Sequence, residues 1–290
     1  MKKFLRNFIF VLIFIAGLSL LLYPYISNKW NTYRQSQLIT EYGDAIEQIK
    51  DEIDYTKEWE SAHEYNKGLL PSILPDSFAI AAAQGEPDEA YLAELNLLGD
   101  GMMGKVEIPK IDIEIPIYHT TSEEVLQIAA GHLEGSSLPV GGKDTHAVIS
   151  AHRGLPSASL FTDLDRLEIG DHFLIHVLDK TLCYQVDQIL VVEPADTSSL
   201  KVEPGRDLVT LLTCTPYGVN SHRLLVRGFQ VDYQPELLEE EVENNIINPS
   251  IHTNYLLWVV LGLAITFVII LILTIRERKL RKKLQKPEKE

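Results

Sequence analysis

The chain has 290 residues, with 26 Lys and Arg against 41 Asp and Glu, a formal charge of −15. The basic residues crowd into the ends. Taking the 11 basic and 3 acidic residues of positions 1–7 and 276–290 from those totals leaves 15 against 38, a net −23 that repels nucleic acid and anionic headgroups and so argues against a nucleic-acid-binding protein.

In chain order, Phe8 to Leu22 is an unbroken apolar or small-residue run preceded by Lys2, Lys3 and Arg6. It fits an uncleaved membrane anchor over residues 1–27; a basic start and short apolar core also fit a secretory signal segment, although no clear small-x-small cleavage site follows. Residues 28–70 are polar and nearly free of Gly and Pro. Leu38, Tyr42, Ile46, Ile49 and Ile53 recur at three- and four-residue intervals, which predicts an amphipathic helix, either an extracellular stalk or one packed on the main domain. Pro71 and Pro75 break it, and residues 71–103 read as a connecting segment with a short helix.

A compact domain is expected over 104–233. β-rich runs recur at 105–108, 113–118, 147–151, 173–178, 181–192, 208–213 and 224–233, separated by Pro- and Gly-rich connections. Thr121 with Glu124 makes a capping-box pattern opening a short helix toward Ala130, and Phe161 to Leu167 fits a helical turn. Seven or eight strands in this length predict a mainly β fold, a closed or nearly closed barrel with short helices. An acidic linker spans 234–254. The 21 uncharged residues 255–275 suffice for a transmembrane helix, and 276–290 form a basic tail. By the positive-inside rule both termini are cytoplasmic and the domain between the two spans is extracellular.

The chemistry-bearing residues stand at strand ends. Thr210-Leu211-Leu212-Thr213-Cys214 delivers a thiol, Ala147 to Ser150 leads into Ala151-His152-Arg153-Gly154, and Arg223 follows nine residues after Cys214. A thiolate nucleophile, an imidazole and a permanent cation are the parts needed for nucleophilic acyl transfer. The alternatives are plainer. Cys183 and Cys214, the two cysteines, can form a disulfide in an exported domain, or Cys183 can be a small buried hydrophobe. His132, His146 and His152 match no helical two-histidine metal pattern, and no metal or cofactor is required. His222 is a rival base, but neighbours on a strand point to opposite faces. Arg153 and Arg227 are rival cations expected in surface ion pairs, and Asp163, Asp165 and Asp171 are candidate acids to orient the imidazole.

Those motifs resemble the sortases. Thr210-Leu211-Leu212-Thr213-Cys214 matches their Thr-Leu-x-Thr-Cys motif. The blocks His132 to Pro139, Ile149 to Pro156 and Cys214 to Arg223 are similar to the class C, pilus-building branch, over roughly residues 65–232. The resemblance implies an eight-stranded sortase-type barrel flanked by two transmembrane helices. It implies Cys214 as nucleophile, His152 as general acid and base, and Arg223 as oxyanion donor and substrate-positioning group. The implied substrates are pilin subunits bearing a Leu-Pro-x-Thr-Gly-like sorting signal. Cleavage between Thr and Gly would leave a thioacyl enzyme, which a pilin lysine amine resolves into an isopeptide bond.

Class C enzymes usually carry an Asp-Pro-aromatic lid. Asp76-Ser77-Phe78 is the nearest match, with Ser in place of Pro, so Asp76 is expected against Arg223 and Phe78 over the thiol, in a lid loosened by the missing ring. Other readings are a sortase that anchors proteins to cell-wall peptide, a membrane-tethered cysteine peptidase, and a non-enzymatic anchored β-domain with an inert thiol.

Overall fold

The computed structural model describes residues 2–49, 54–69, 76–78, 87–236 and 255–284. The expected breaks at Pro71 and Pro75, Ile53, nearly all of the acidic linker and the last residues of the tail lie outside these. Chain contacts divide the protein into two units, Met1–Ile26 with Pro249–Glu290, and Ser27–Asn248.

In the larger unit the apolar runs become strands β1 (Met102–Ile108), β2 (Ile113–His119), β3 (Ala130–His132), β4 (Thr145–Ser150), β5 (His172–Val177), β6 (Lys180–Val192), β7 (Asp207–Thr215) and β8 (His222–Val231). They close into a barrel in the order β1-β2-β3-β4-β7-β8-β6-β5. Closure pairs every strand on both sides and leaves no open edge. Two of the pairings are parallel, β2 with β3 and β4 with β7; the rest are antiparallel.

Side chains alternate across this wall with the two-residue period of a strand. Ile149, Val209, Leu211, Leu224 and Val226 join the main core inside, around Phe173 and Tyr184, whose rings stack 5.5 Å apart. Gly228 of β8 makes room for that stack: a Cβ there would lie 2.8 Å from the Phe173 ring. The alternate residues Val148, Leu212 and Leu225 face outward into a second apolar cluster with Leu133 and Leu200.

Helix α1 covers Lys2–Ile49, a longer element than the separate anchor and amphipathic stretch expected. From Ser27 on, it belongs to the larger unit. There Tyr42 and Ile46 are buried, while Asn28, Asn31 and Gln35 hold the barrel's loops: Asn28 Oδ1 accepts from Ser159 N, Asn31 Nδ2 donates to the Ser157 carbonyl, and Gln35 Nε2 donates to the Ile128 carbonyl. Helix α2 (Tyr55–Gly68) starts at Asp54, whose side chain caps Thr56 N. It buries Tyr55, Trp59 and Ala62, one stripe at helical spacing. Trp59 Nε1 donates to Asp179 (2.8 Å), and Asn66 clamps both N and O of Leu138. The predicted amphipathic region is therefore two helices packed on the barrel, and the barrel's first strand begins at Met102 instead of Lys105.

Two further short helices lie in this unit. Helix α3 (Glu89–Ala93) buries Tyr91. Helix α4 (Glu123–Leu126) is capped by Ser122, whose hydroxyl accepts from Val125 N; the cap falls one residue after the predicted Thr121. A 3-10 turn at Leu164–Arg166 occupies part of the predicted helical turn. In the smaller unit, α5 spans Tyr255–Leu284. Two stretches, Leu12–Gln48 and Leu257–Lys279, are long and apolar enough to cross a membrane.

Candidate active site

Register places the chemistry. β4 and β7 run parallel with Ser150 opposite Leu212, and the stitch continues beyond the ladder: Ala151 N donates to the Leu212 carbonyl (3.1 Å) and Thr213 Oγ1 to the Ala151 carbonyl (2.7 Å). His152 lies two residues past Ser150 and Cys214 two past Leu212, so both emerge from the same end of adjacent strands on the outward face. β7 and β8 are antiparallel with Cys214 directly opposite Arg223. Side chains opposed in this way share a face at close range. Thiol, imidazole and guanidinium therefore converge on one outward-facing groove, whose floor is the apolar cluster containing Val148, Leu212 and Leu225.

Asp76-Ser77-Phe78 fills that groove. Arg223 grips Asp76 through two parallel hydrogen bonds, Nε to Oδ1 and Nη2 to Oδ2, each 2.7 Å. Phe78 contacts both other groups of interest: its ring centroid is 5.2 Å from the His152 ring and 5.1 Å from the Arg223 guanidinium carbon. Ser77 is fully buried and fixes the segment, receiving a hydrogen bond on its hydroxyl from Ser150 (2.8 Å) and on its carbonyl from Thr121 (2.8 Å). Serine at position 77 supplies a hydroxyl that proline lacks, and that hydroxyl accepts the Ser150 bond. Cys214 is 7% exposed beneath this cover.

Burial sets the protonation states. It pushes the Cys214 thiol up; Arg223 pulls it back and Asp76 adds to the rise, leaving the thiol above its ordinary range. Burial also pushes the His152 imidazole down, against an opposing pull from Glu123. The covered site thus favours a neutral thiol beside a neutral imidazole. No hydrogen bond joins His152 to Cys214, and His152 Nε2 is buried without any hydrogen-bond partner, 3.8 Å from Glu123 Oε2.

The rival residues go elsewhere. His222 opposes Thr215, one position out of phase with Arg223, and is exposed. Arg153 pairs with Asp165 and donates to Thr215 Oγ1 at 3.1 Å. Arg227 pairs with Asp187 and Glu203. Both rival arginines are buried, contrary to the expected surface ion pairs. Asp171 is held by Lys110, and Asp163 precedes the 3-10 turn. His132 sits between the Tyr91 hydroxyl and the Ser137 carbonyl, where burial lowers its pKa to about 4, and His146 between the Lys201 carbonyl and Thr210. Cys183 on β6 and Cys214 on β7 are not joined by a disulfide, which overturns that reading. Sequence reasoning did not single out Glu123, Thr121 or Ser150 for this site. Glu123 was visible only as part of a helix start.

Residues 106–231 match the family model of the sortase domain. The crystal structure of Sortase C from Streptococcus pneumoniae, described for its catalysis and pilin substrate specificity, is 47% identical with a TM-score of 0.61, covering 68% of this chain and 97% of that one. Sortase C1 of Streptococcus agalactiae is 46% identical at TM-score 0.62, covering 68% and 100%. Among characterised relatives, a Sortase A of Bacillus anthracis is 25% identical over 227 residues, 78% of this chain and 95% of its own.

Proposed function

This chain belongs to the sortase family, and on that premise we propose that it is a membrane-anchored transpeptidase that polymerises pilins. Cys214 attacks the Thr carbonyl of a Leu-Pro-x-Thr-Gly-like sorting signal. His152 takes the Cys214 thiol proton as the sulfur attacks; the C–N bond to Gly then breaks, its amine takes that proton from His152, and the pilin remains on sulfur as a thioester. A lysine amine of the next pilin attacks that carbonyl, yields its proton to His152, and expels the thiolate as the isopeptide bond forms. Arg223 donates to the developing oxyanion and remains protonated throughout. Asp76-Ser77-Phe78 is an autoinhibitory lid that competes with the sorting signal for the groove. The two long apolar helices anchor the chain with the barrel outside and both termini in the cytoplasm.

The observation that carries this reading is the convergence of Cys214, His152 and Arg223 on one outward groove with an apolar floor. Its likeness to class C structures favours pilin over cell wall as the acceptor. Purified pilins with the enzyme should give covalent ladders on denaturing gels. Cys214→Ala should abolish them, by a factor on the order of 10⁴ or more, while Cys183→Ala leaves them intact. Transfer to cell-wall peptide without ladders would replace pilin polymerisation by wall anchoring, and release to water alone would indicate a peptidase.

A further inference from the structure

We propose that Glu123 is a positioning residue for His152, orienting the imidazole and balancing its positive charge while it carries the proton; this rests on the catalytic role given to His152 above. Among the described residues Glu123 is the one acid within ion-pair distance of that ring. Its carboxylate is divided in use. Oε1 accepts from Gln127 Nε2 one helical turn on, which fixes the group, and Oε2 is left facing His152 Nε2.

The 3.8 Å separation falls short of a hydrogen bond, and Nε2 is buried with no other partner. A buried polar atom left unpaired is costly, so its presence needs a reason. The lid supplies one. Phe78 lies against the imidazole, and Ser77 is tied to Thr121, two residues before Glu123. The same segment that covers the thiol therefore fixes both the ring and the start of the helix that carries the carboxylate. When the lid leaves, a shift of about 1 Å brings Oε2 and Nε2 to the 2.7–2.9 Å of a charge-assisted bond. In the covered site the other charged groups are committed, Arg223 to Asp76 and Arg153 to Asp165, and the Cys214 thiol stands opposite Arg223. Glu123 is exposed, so its role does not depend on supporting the core.

The proposal predicts an acid–base effect with little change in folding. The test uses the full chain in detergent micelles, in an Asp76→Ala background that frees the groove. Variants Glu123→Gln, Glu123→Asp and His152→Ala are compared in transfer from a sorting-signal peptide to a lysine donor. Glu123→Gln should lower kcat about 10-fold with KM nearly unchanged. It should also move the pH limb belonging to His152, and the NMR titration of its imidazole, to lower pH by about half a unit or more. Glu123→Asp should recover most of both effects, and urea midpoints should stay the same. Superimposable pH profiles and imidazole titrations for wild type and Glu123→Gln would overturn the proposal while leaving the catalytic reading intact. Full activity of His152→Ala would overturn the catalytic reading, and this one with it.

Discussion

Arg223 and Arg227 lie four residues apart on β8, on the same face of the strand, and each grips an aspartate through Nε and Nη2. The local chemistry is the same; the partners differ. Arg227 holds Asp187, which stands at the irregularity in β6 between Val186 and Gln188, and also Glu203 of the loop before β7; Arg206 reaches the same two acids. That network ties barrel wall to barrel loop. Arg223 holds Asp76, whose segment stays in the groove by Ser77 and Phe78 alone among the described residues around it. One arginine is a rivet and the other is a catch. A planar, permanently charged fork serves both purposes, so what differs is how firmly its partner is built into the barrel.

The sharpest way to separate them is to remove each in turn. Arg223→Met should cut transfer to a lysine donor by about 10²–10³-fold, the loss of an oxyanion donor, with a small change in urea midpoint. Arg227→Met should do the reverse: activity within a few-fold, and a loss of about 3 kcal/mol because Asp187 keeps only Arg206 in a largely buried position. Equal losses of activity from both would collapse the distinction.

Breaking the catch from its acid side should raise activity instead of lowering it. Asp76→Ala removes one group that lifts the Cys214 thiol and relieves the burial that lifts it most, leaving Arg223 to pull it down. Thiol alkylation at neutral pH should rise on the order of 10-fold, and its pH curve should move toward lower pH. An unchanged curve would show that the segment does not guard the thiol. The smallest effect is expected from Ser77→Ala, which deletes the bond to Ser150 but keeps the carbonyl bond from Thr121. A loss of about 1 kcal/mol from the closed state corresponds to an increase of about 5-fold in alkylation.

Local pattern made most of the barrel legible, because seven of its eight strands contain longer runs with apolar alternation or apolar continuity and turn residues between them. β3 escaped because Ala130–His132 is three residues long and has no room for a period. The groove's principal groups were legible because thiol, imidazole and guanidinium each close a recognisable block. Glu123 was not: a glutamate in the first turn of a helix is favoured there by the helix dipole, so its presence needs no further cause. The burial of Arg153 and Arg227 was equally hidden, since charge pairing depends on loops distant in sequence, such as the one bearing Glu203.

By itself the sequence determined the strand alternation, the two apolar helices and the identity of the reactive side chains, all of which follow from neighbours a few residues apart. Tertiary structure alone decided which of them meet. The parallel register of β4 with β7 sets His152 beside Cys214, and the antiparallel register of β7 with β8 sets Arg223 opposite it. Closure of the barrel decided which face looks outward, and burial together with Asp76 pushes the Cys214 thiol up against the pull of Arg223. His152 and Cys214 are tens of positions apart and Asp76 and Arg223 further still, while Cys214 and Arg223 stand nine positions apart; strand pairing and burial fix all three meetings.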